Sequence, residues 1–181
     1  MTGKYEGKSW TDSHYWVGRF EHWSGKKGLG IELIHHKIYL KNTTDIIENF
    51  SISDGYNLLH INIAREKDYG IWRLGVGAVI AHPDATFQGR EQYKIKGSKG
   101  LHWAGPSAAI SFERVLYEKK QTIVSLEGKI NLSYAKVPIS DHSSEYAEVP
   151  NIGFHIALGF GRHLPKQSTL KQKVLYLTPY L

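Results

Sequence analysis

Any chemistry in this chain has to come from its histidines, its carboxylates and the few serines placed near them, because it holds ten His and no Cys. Without cysteine there is neither a thiolate nucleophile nor a disulfide framework. His35, Asp54 and His82 form the candidate catalytic or metal-binding set, since all three fall at the same end of neighbouring predicted strands and could converge there. His35 and His36 are adjacent, so in a strand they face opposite ways and cannot share one ion without a bulge. His60 and His155 carry the parity of the polar strand faces and read as hydrogen-bonding partners of nearby charges rather than as ligands. Ser107 and Ser111 could face His155, yet they lack a spacing diagnostic of a serine hydrolase, and small residues filling a narrow interior account for both. Gly28 and Gly30, or Gly75 and Gly77, are no phosphate-binding loops because no helix follows them. No cofactor is expected from these residues.

A second set is ionic. Arg19, Glu21, Glu32, Arg73, Glu113, Glu127 and Lys129, with His155, all occupy the polar parity of their segments, and their opposite signs could pair if those faces meet. The segments that position them are strands. Over 122–137, Leu126, Gly128, Ile130, Leu132 and Tyr134 alternate with Ser125, Glu127, Lys129, Asn131 and Ser133, the period-2 pattern of a strand with one apolar and one polar side. The same alternation predicts strands near 14–23, 28–40, 56–65, 69–81, 103–117 and 150–161, in the last of which Ile152, Phe154, Ile156, Leu158 and Phe160 oppose Asn151, Gly153, His155, Ala157 and Gly159. No helix is required.

Two architectures produce such faces. A soluble sandwich or barrel buries the apolar face, whereas an outer-membrane barrel turns it to lipid and lines its interior with the polar one. Three features favour the second. The polar faces near 69–81, 103–117 and 150–161 are mostly Gly, Ala and Ser with sparse charges, which suits a narrow lumen better than a solvated sheet. The connections alternate in length, short at 24–27, 66–68 and 118–121, long at 41–55, 82–99 and 138–149, as periplasmic turns and external loops do. Aromatic residues gather at both strand ends, with Trp16, Tyr39, Tyr56, Trp103, Tyr134 and Phe154 at the long-connection end and Trp23, Trp72, Tyr117 and Phe160 at the other. The expected fold is therefore all-β, an antiparallel up-and-down transmembrane β-barrel of about eight strands. Leu126, Ile130, Leu132, Phe154, Ile156 and Leu158 are its expected lipid-facing residues. The alternative is a soluble, lipocalin-like barrel holding a lipophilic ligand with the apolar parity inside.

At 181 residues the chain fits one domain. Residues 1–13 read as a polar loop, 14–161 as seven barrel strands, and 162–181 as a tail. An even-stranded barrel needs one more strand. Either a strand preceding this sequence supplies it, or the tail does, through Val-Leu-Tyr-Leu-Thr-Pro-Tyr-Leu at 174–181, with Pro179 tolerated near a strand end. The net charge of +6 is scattered over turns and tail without a basic helix or motif, so nucleic acid is not an expected partner. No apolar run of about 18 residues is present, so no transmembrane helix is expected. The first residues, Met-Thr-Gly-Lys-Tyr-Glu, have no apolar leader character, so a bacterial outer-membrane location implies that a signal peptide lies outside this sequence. The expected partners are membrane lipid and lipopolysaccharide, and the expected state is a monomer.

The run Gly28-Leu-Gly-Ile-Glu-Leu-Ile-His-His-Lys-Ile-Tyr39 resembles a strand of outer-membrane barrels related to rhizobial lipid A oxidase, as do 52–59, 75–83 and Gly105-Pro106, in the same order. The resemblance spans roughly 80 residues, and it implies an eight-stranded OmpA-like barrel. It further implies an oxidation of the proximal glucosamine of lipid A that uses oxygen and a divalent metal. Asp54 stands where that pattern would have His, and His82-Pro83 reverses its order.

Overall fold

Alternation of this length makes strands too long to be covered by anything but each other, and eight of them pair into a ring. The structure, a computed structural model of the chain, describes residues 4–6, 15–42, 47–87, 90–93, 101–139, 146–164 and 173–179. Its strands are β1 (Tyr5–Glu6), β2 (Trp16–Ser24), β3 (Lys27–Leu40), β4 (Ile47–Lys67), β5 (Gly70–Ala81), β6 (Asp84–Phe87), β7 (Arg90–Tyr93), β8 (His102–Lys119), β9 (Thr122–Pro138), β10 (Tyr146–His163) and β11 (Lys173–Pro179), with no helix among the described residues. The antiparallel ladder runs β2, β3, β4, β5, β8, β9, β10, β11 and returns to β2, so each of these eight strands has two partners, with β11 meeting β10 over Phe160–His163 among the described residues. The closing strand is the tail, whose Leu175 and Leu177 lie opposite Arg162 and Phe160 on β10 and opposite Phe20 and Gly18 on β2.

Register fixes the dimensions. Partners followed from Arg19 in one direction pass through Glu32, His60, Gly77, Ser107 and Ser133 to Asn151; in the other direction Tyr176 leads to Gly161 on the same strand, a stagger of ten residues. With a rise of about 3.3 Å per residue and about 4.8 Å between strands, that stagger tilts the strands by about 40° and sets a backbone radius of about 8 Å. Such a tube is filled by its own side chains.

The wall is inside out relative to a soluble core. Leu29, Ile31, Ile61, Ile63, Leu74 and Val76 point away from the lumen and are more than half exposed; Leu126, Ile130, Leu132, Phe154 and Ile156 on β9 and β10 are exposed as well, with Leu158 partly covered. The opposite parity is closed, and its buried residues include Arg19, Glu21, Glu32, Arg73, Glu113, Glu127 and Lys129. A lipocalin-like barrel needs the reverse arrangement along these strands.

Three connections at one end are two-residue hairpins, Gly25-Lys26, Asp68-Tyr69 and Lys120-Gln121. Such tight turns call for positive φ, which Gly25 supplies at 59° and Lys120 at 56°. On β8 the ladder to β5 shifts register beside Gly105, whose φ is 158° and where an added Cβ would run into the Tyr134 carbonyl.

At the other end the expectations need correction. The stretch 41–55 is not simply a connection, because β4 begins at Ile47 and its outer part pairs with β6, which pairs with β7. A hairpin therefore occupies part of 82–99, where no element was expected, and β1 pairs with the end of β3 inside the predicted N-terminal loop. Alternation is weak in these segments; β6 is laid down on β4, β7 on β6 and β1 on β3. Strands β9 and β10 likewise run further than expected, to Pro138 and from Tyr146.

Candidate functional site

The interior is built in layers. Around its middle, β2, β3, β5, β8 and β9 each turn charged side chains inward, and the barrel radius brings them within contact. Arg19 donates from Nε to Glu32 at 2.6 Å, from Nη2 to Glu127 at 2.7 and 2.5 Å, and from Nη1 to Glu113 at 3.3 Å. Arg73 donates from Nε and Nη2 to the two oxygens of Glu21 at 2.7 and 3.0 Å, and its Nη1 lies 2.5 Å from Glu113. Lys129 Nζ reaches Glu32 at 2.5 Å and lies 3.7 Å from Glu127. Four carboxylates thus share three cations, and each of the seven residues is at most 6% exposed. Paired charges in so dry a place are held by mutual geometry, since any one of them alone would carry an uncompensated desolvation cost of several kcal/mol.

The network is closed on both sides. Toward the short turns, Trp23 packs with Val115 and Ile123, and its indole N–H donates to Glu21 at 3.2 Å. The sequence placed Trp23 in the outer girdle; the structure turns its ring inward, where Gly28 leaves space that a Cβ would take within 2.9 Å of the indole. Toward the long connections the lumen is apolar, with Val17, Ile34, Leu58, Val79, Ala135 and Val149 in one buried cluster that also includes Phe50 and Ile52 from the outer part of β4. Tyr56 belongs to this layer, fully buried with its hydroxyl 2.9 Å from Ser133 Oγ, and not to the outer girdle. Among the described residues the exposed aromatic side chains are Trp16, Trp103, Tyr134, Tyr146 and Phe154 on the long-connection side, Tyr69, Trp72, Tyr117 and Phe160 on the short-turn side, and Phe20 between them.

The candidate catalytic set is not gathered by any described contact. His35 faces outward, stacks on Trp16 at 5.6 Å between ring centroids and bonds Asn57 Oδ1 through Nδ1 at 2.7 Å. His82 is buried beyond the end of β5, its backbone N–H donating to the Gly55 carbonyl at 3.0 Å. Asp54 lies in β4, and its side chain is outside the described residues. No group of three or more potential ligand side chains is spaced to hold a metal ion among the described residues. His36 does turn inward, with a register shift between it and Ile38, and packs edge-on against Tyr56 and His155 at 4.8 and 5.7 Å.

Two other readings are adjusted. His155 does not join the ion pairs through Nε2, which bonds the Asn131 side-chain amide at 2.7 Å. Ser107 is matched with His60, not with His155: its Oγ lies 2.8 Å from His60 Nε2, while His60 Nδ1 lies 3.8 Å from Glu32. Serine, histidine and glutamate in that order are the atoms of a hydrolase triad. Here His60 and Glu32 are no more than 1% exposed and Ser107 is 6% exposed, so no acyl group can reach the hydroxyl; the trio is part of the packing.

The residues missed from sequence are those of the apolar upper layer. They share the inward parity with the charges, and a signal was present in the change from Glu32 to Ile34 and from Arg19 to Val17 along one face. Compared with family models, curated proteins and solved structures, the chain matches none.

Proposed function

We propose that this chain is an integral outer-membrane β-barrel with a sealed lumen, which meets lipopolysaccharide through its outer face and its long-connection end. The observation that carries the reading is the polarity of the wall, aliphatic outside and ionic within. The height agrees: at about 40° of tilt each residue climbs about 2.5 Å, so the outward run from Val124 to Tyr134 on β9 covers about 25 Å, the thickness of the apolar band of such barrels. Exposed aromatic residues lie toward both ends of that band. The short hairpins then belong to the periplasmic side and the extended β3, β4, β6 and β7 to the exterior. Just beyond Tyr134, exposed Lys136 lies on the same outward face, with Nζ 5.0 Å from the Tyr146 ring centroid, where the phosphates of a lipid A headgroup would meet it. The resemblance to lipid A oxidase-related barrels supports the same partner.

Expression with a secretion leader in a Gram-negative host tests the reading. The expected protein is extracted from the membrane fraction only by detergent and migrates differently on a gel before and after boiling. A monomer that stays in solution without detergent overturns the proposal. Mass spectrometry of lipid A from the same cells separates binding from modification: an unchanged profile with the protein inserted leaves a binding role, and a changed one assigns an enzyme.

A further inference from the structure

The outer face carries an apolar depression at the short-turn end, of about 520 Å³, with walls formed by Ile63, Trp72, Leu74 and Ile110. Its lower rim is Lys27 and Arg65, which are cross-strand partners on β3 and β4. These two cations also line a second cleft of about 610 Å³ between the hairpins, with Lys26, Glu66, Lys67 and Asp68. An apolar slot thus opens through a pair of cations into a polar cleft that holds four cationic side chains against two carboxylates. Asp68 lies 3.8 Å from Lys26 with both side chains in solvent, so it screens that lysine only weakly. A ligand fitting this sequence of surfaces has an acyl chain, a phosphate at the apolar boundary and a net negative charge.

We propose that this composite groove is a binding site for an anionic glycerophospholipid of the periplasmic leaflet, one acyl chain lying against Trp72 and Leu74 and the phosphodiester between Lys27 and Arg65. It rests on the membrane reading above, and extends it by assigning a second lipid class to the opposite end of the barrel. The charge complementarity selects the occupant: a zwitterionic headgroup would bring its own cation to the mouth, whereas phosphatidylglycerol brings only the phosphate and hydroxyls. Each Lys or Arg near such a surface contributes about 1 kcal/mol, which is about fivefold in local enrichment.

Trp72 is a built-in reporter. Wild-type protein and Trp72→Phe are inserted into phosphatidylcholine vesicles containing equal fractions of either brominated phosphatidylglycerol or brominated phosphatidylcholine, and the difference in quenching between the two proteins isolates Trp72. The expected result is stronger quenching of Trp72 by the brominated anionic lipid, with the excess lowered about fivefold by Lys27→Gln and again by Arg65→Gln. Because those variants could fold poorly, the wild-type excess is also followed from low to high salt, where it should shrink; an excess indifferent to salt overturns the proposal. Boiling-dependent gel migration on the same vesicles separates the two layers of inference. Inserted protein with equal quenching by both lipids rejects the lipid site and leaves the membrane barrel standing, and protein that does not insert rejects both.

Discussion

Replacing Arg19 by leucine measures whether the ionic layer is dry. The guanidinium faces Glu32, Glu113 and Glu127 at 2.5 to 3.3 Å, and every partner is almost fully buried. At an effective dielectric constant near 20, each such contact has a gross Coulomb energy on the order of 5 kcal/mol, most of it offset by desolvation already incurred. Removing the cation leaves four carboxylates on two cations, Arg73 and Lys129, and the expected net loss is about 3–5 kcal/mol. With a urea dependence of about 2 kcal/mol/M, the unfolding midpoint in vesicles should fall by about 2 M. Adding Glu127→Leu restores the starting imbalance of one charge, so the double variant should regain at least half of the loss. Boiling-free gel migration across a urea series reads all of these. If Arg19→Leu shifts the midpoint by less than about 0.5 M, the charges are individually hydrated and the lumen is wet. If the double variant loses the sum of the two single losses, the residues do not act as a network.

Three further outcomes follow from the geometry. Ile130→Arg places a charge on the outward face near mid-height, and should cost about 2–4 kcal/mol in vesicles when unfolding is followed as above; a neutral effect would mean that this face meets water. Lys120→Gly removes the steric penalty of a positive φ in a two-residue hairpin and, net of the added backbone freedom, should stabilise by about 0.5–1 kcal/mol; a loss measured in the same urea series would show that the turn does not need positive φ. Ser107→Ala should cost about 1 kcal/mol through the lost hydrogen bond to His60 and leave the lipid A profile of expressing cells identical to wild type; a profile that changes with this substitution alone would make Ser107 a catalytic residue.

How far the sequence could be read depended on whether a residue's neighbours two positions away carried the same message. On β9, Ser125, Glu127, Lys129 and Asn131 agree, and so do the aliphatic residues between them, so strand and parity were both legible. The pairing of Arg19 with Glu127, 108 positions apart, was legible only as matched signs on faces of one parity. Trp23 and Tyr56 misled because an aromatic side chain at a strand end fits an interfacial girdle and a lumen plug equally well, and only the ring's radius and Gly28 decide between them. The outer half of β4 was missed for a different reason. Its residues from Ile47 take their strand character from β6, and pairing between segments far apart in the chain leaves no periodic trace. Of the candidate set, His35 turns outward and His82 is buried beyond the end of β5, while the Asp54 side chain lies outside the described residues; position at a strand end does not by itself say which side chains meet.

The alternation of the barrel strands also has a consequence before folding. A secretion channel diverts a segment into the inner membrane when about 20 consecutive residues are apolar enough to partition as a helix. Polar, charged or glycine residues such as Arg19, Glu32, Arg73, Glu113, Glu127 and Gly159 interrupt the apolar residues along these strands, and no helix among the described residues is long and apolar enough to cross a membrane. On the proposed membrane reading, the apolar surface of Leu126, Ile130 and Ile156 would stay hidden while the chain is threaded as an extended polymer, and would emerge only when pairing sorts the two parities onto opposite sides of one wall. Commitment to a bilayer would then be a property of the closed ring and of no segment within it.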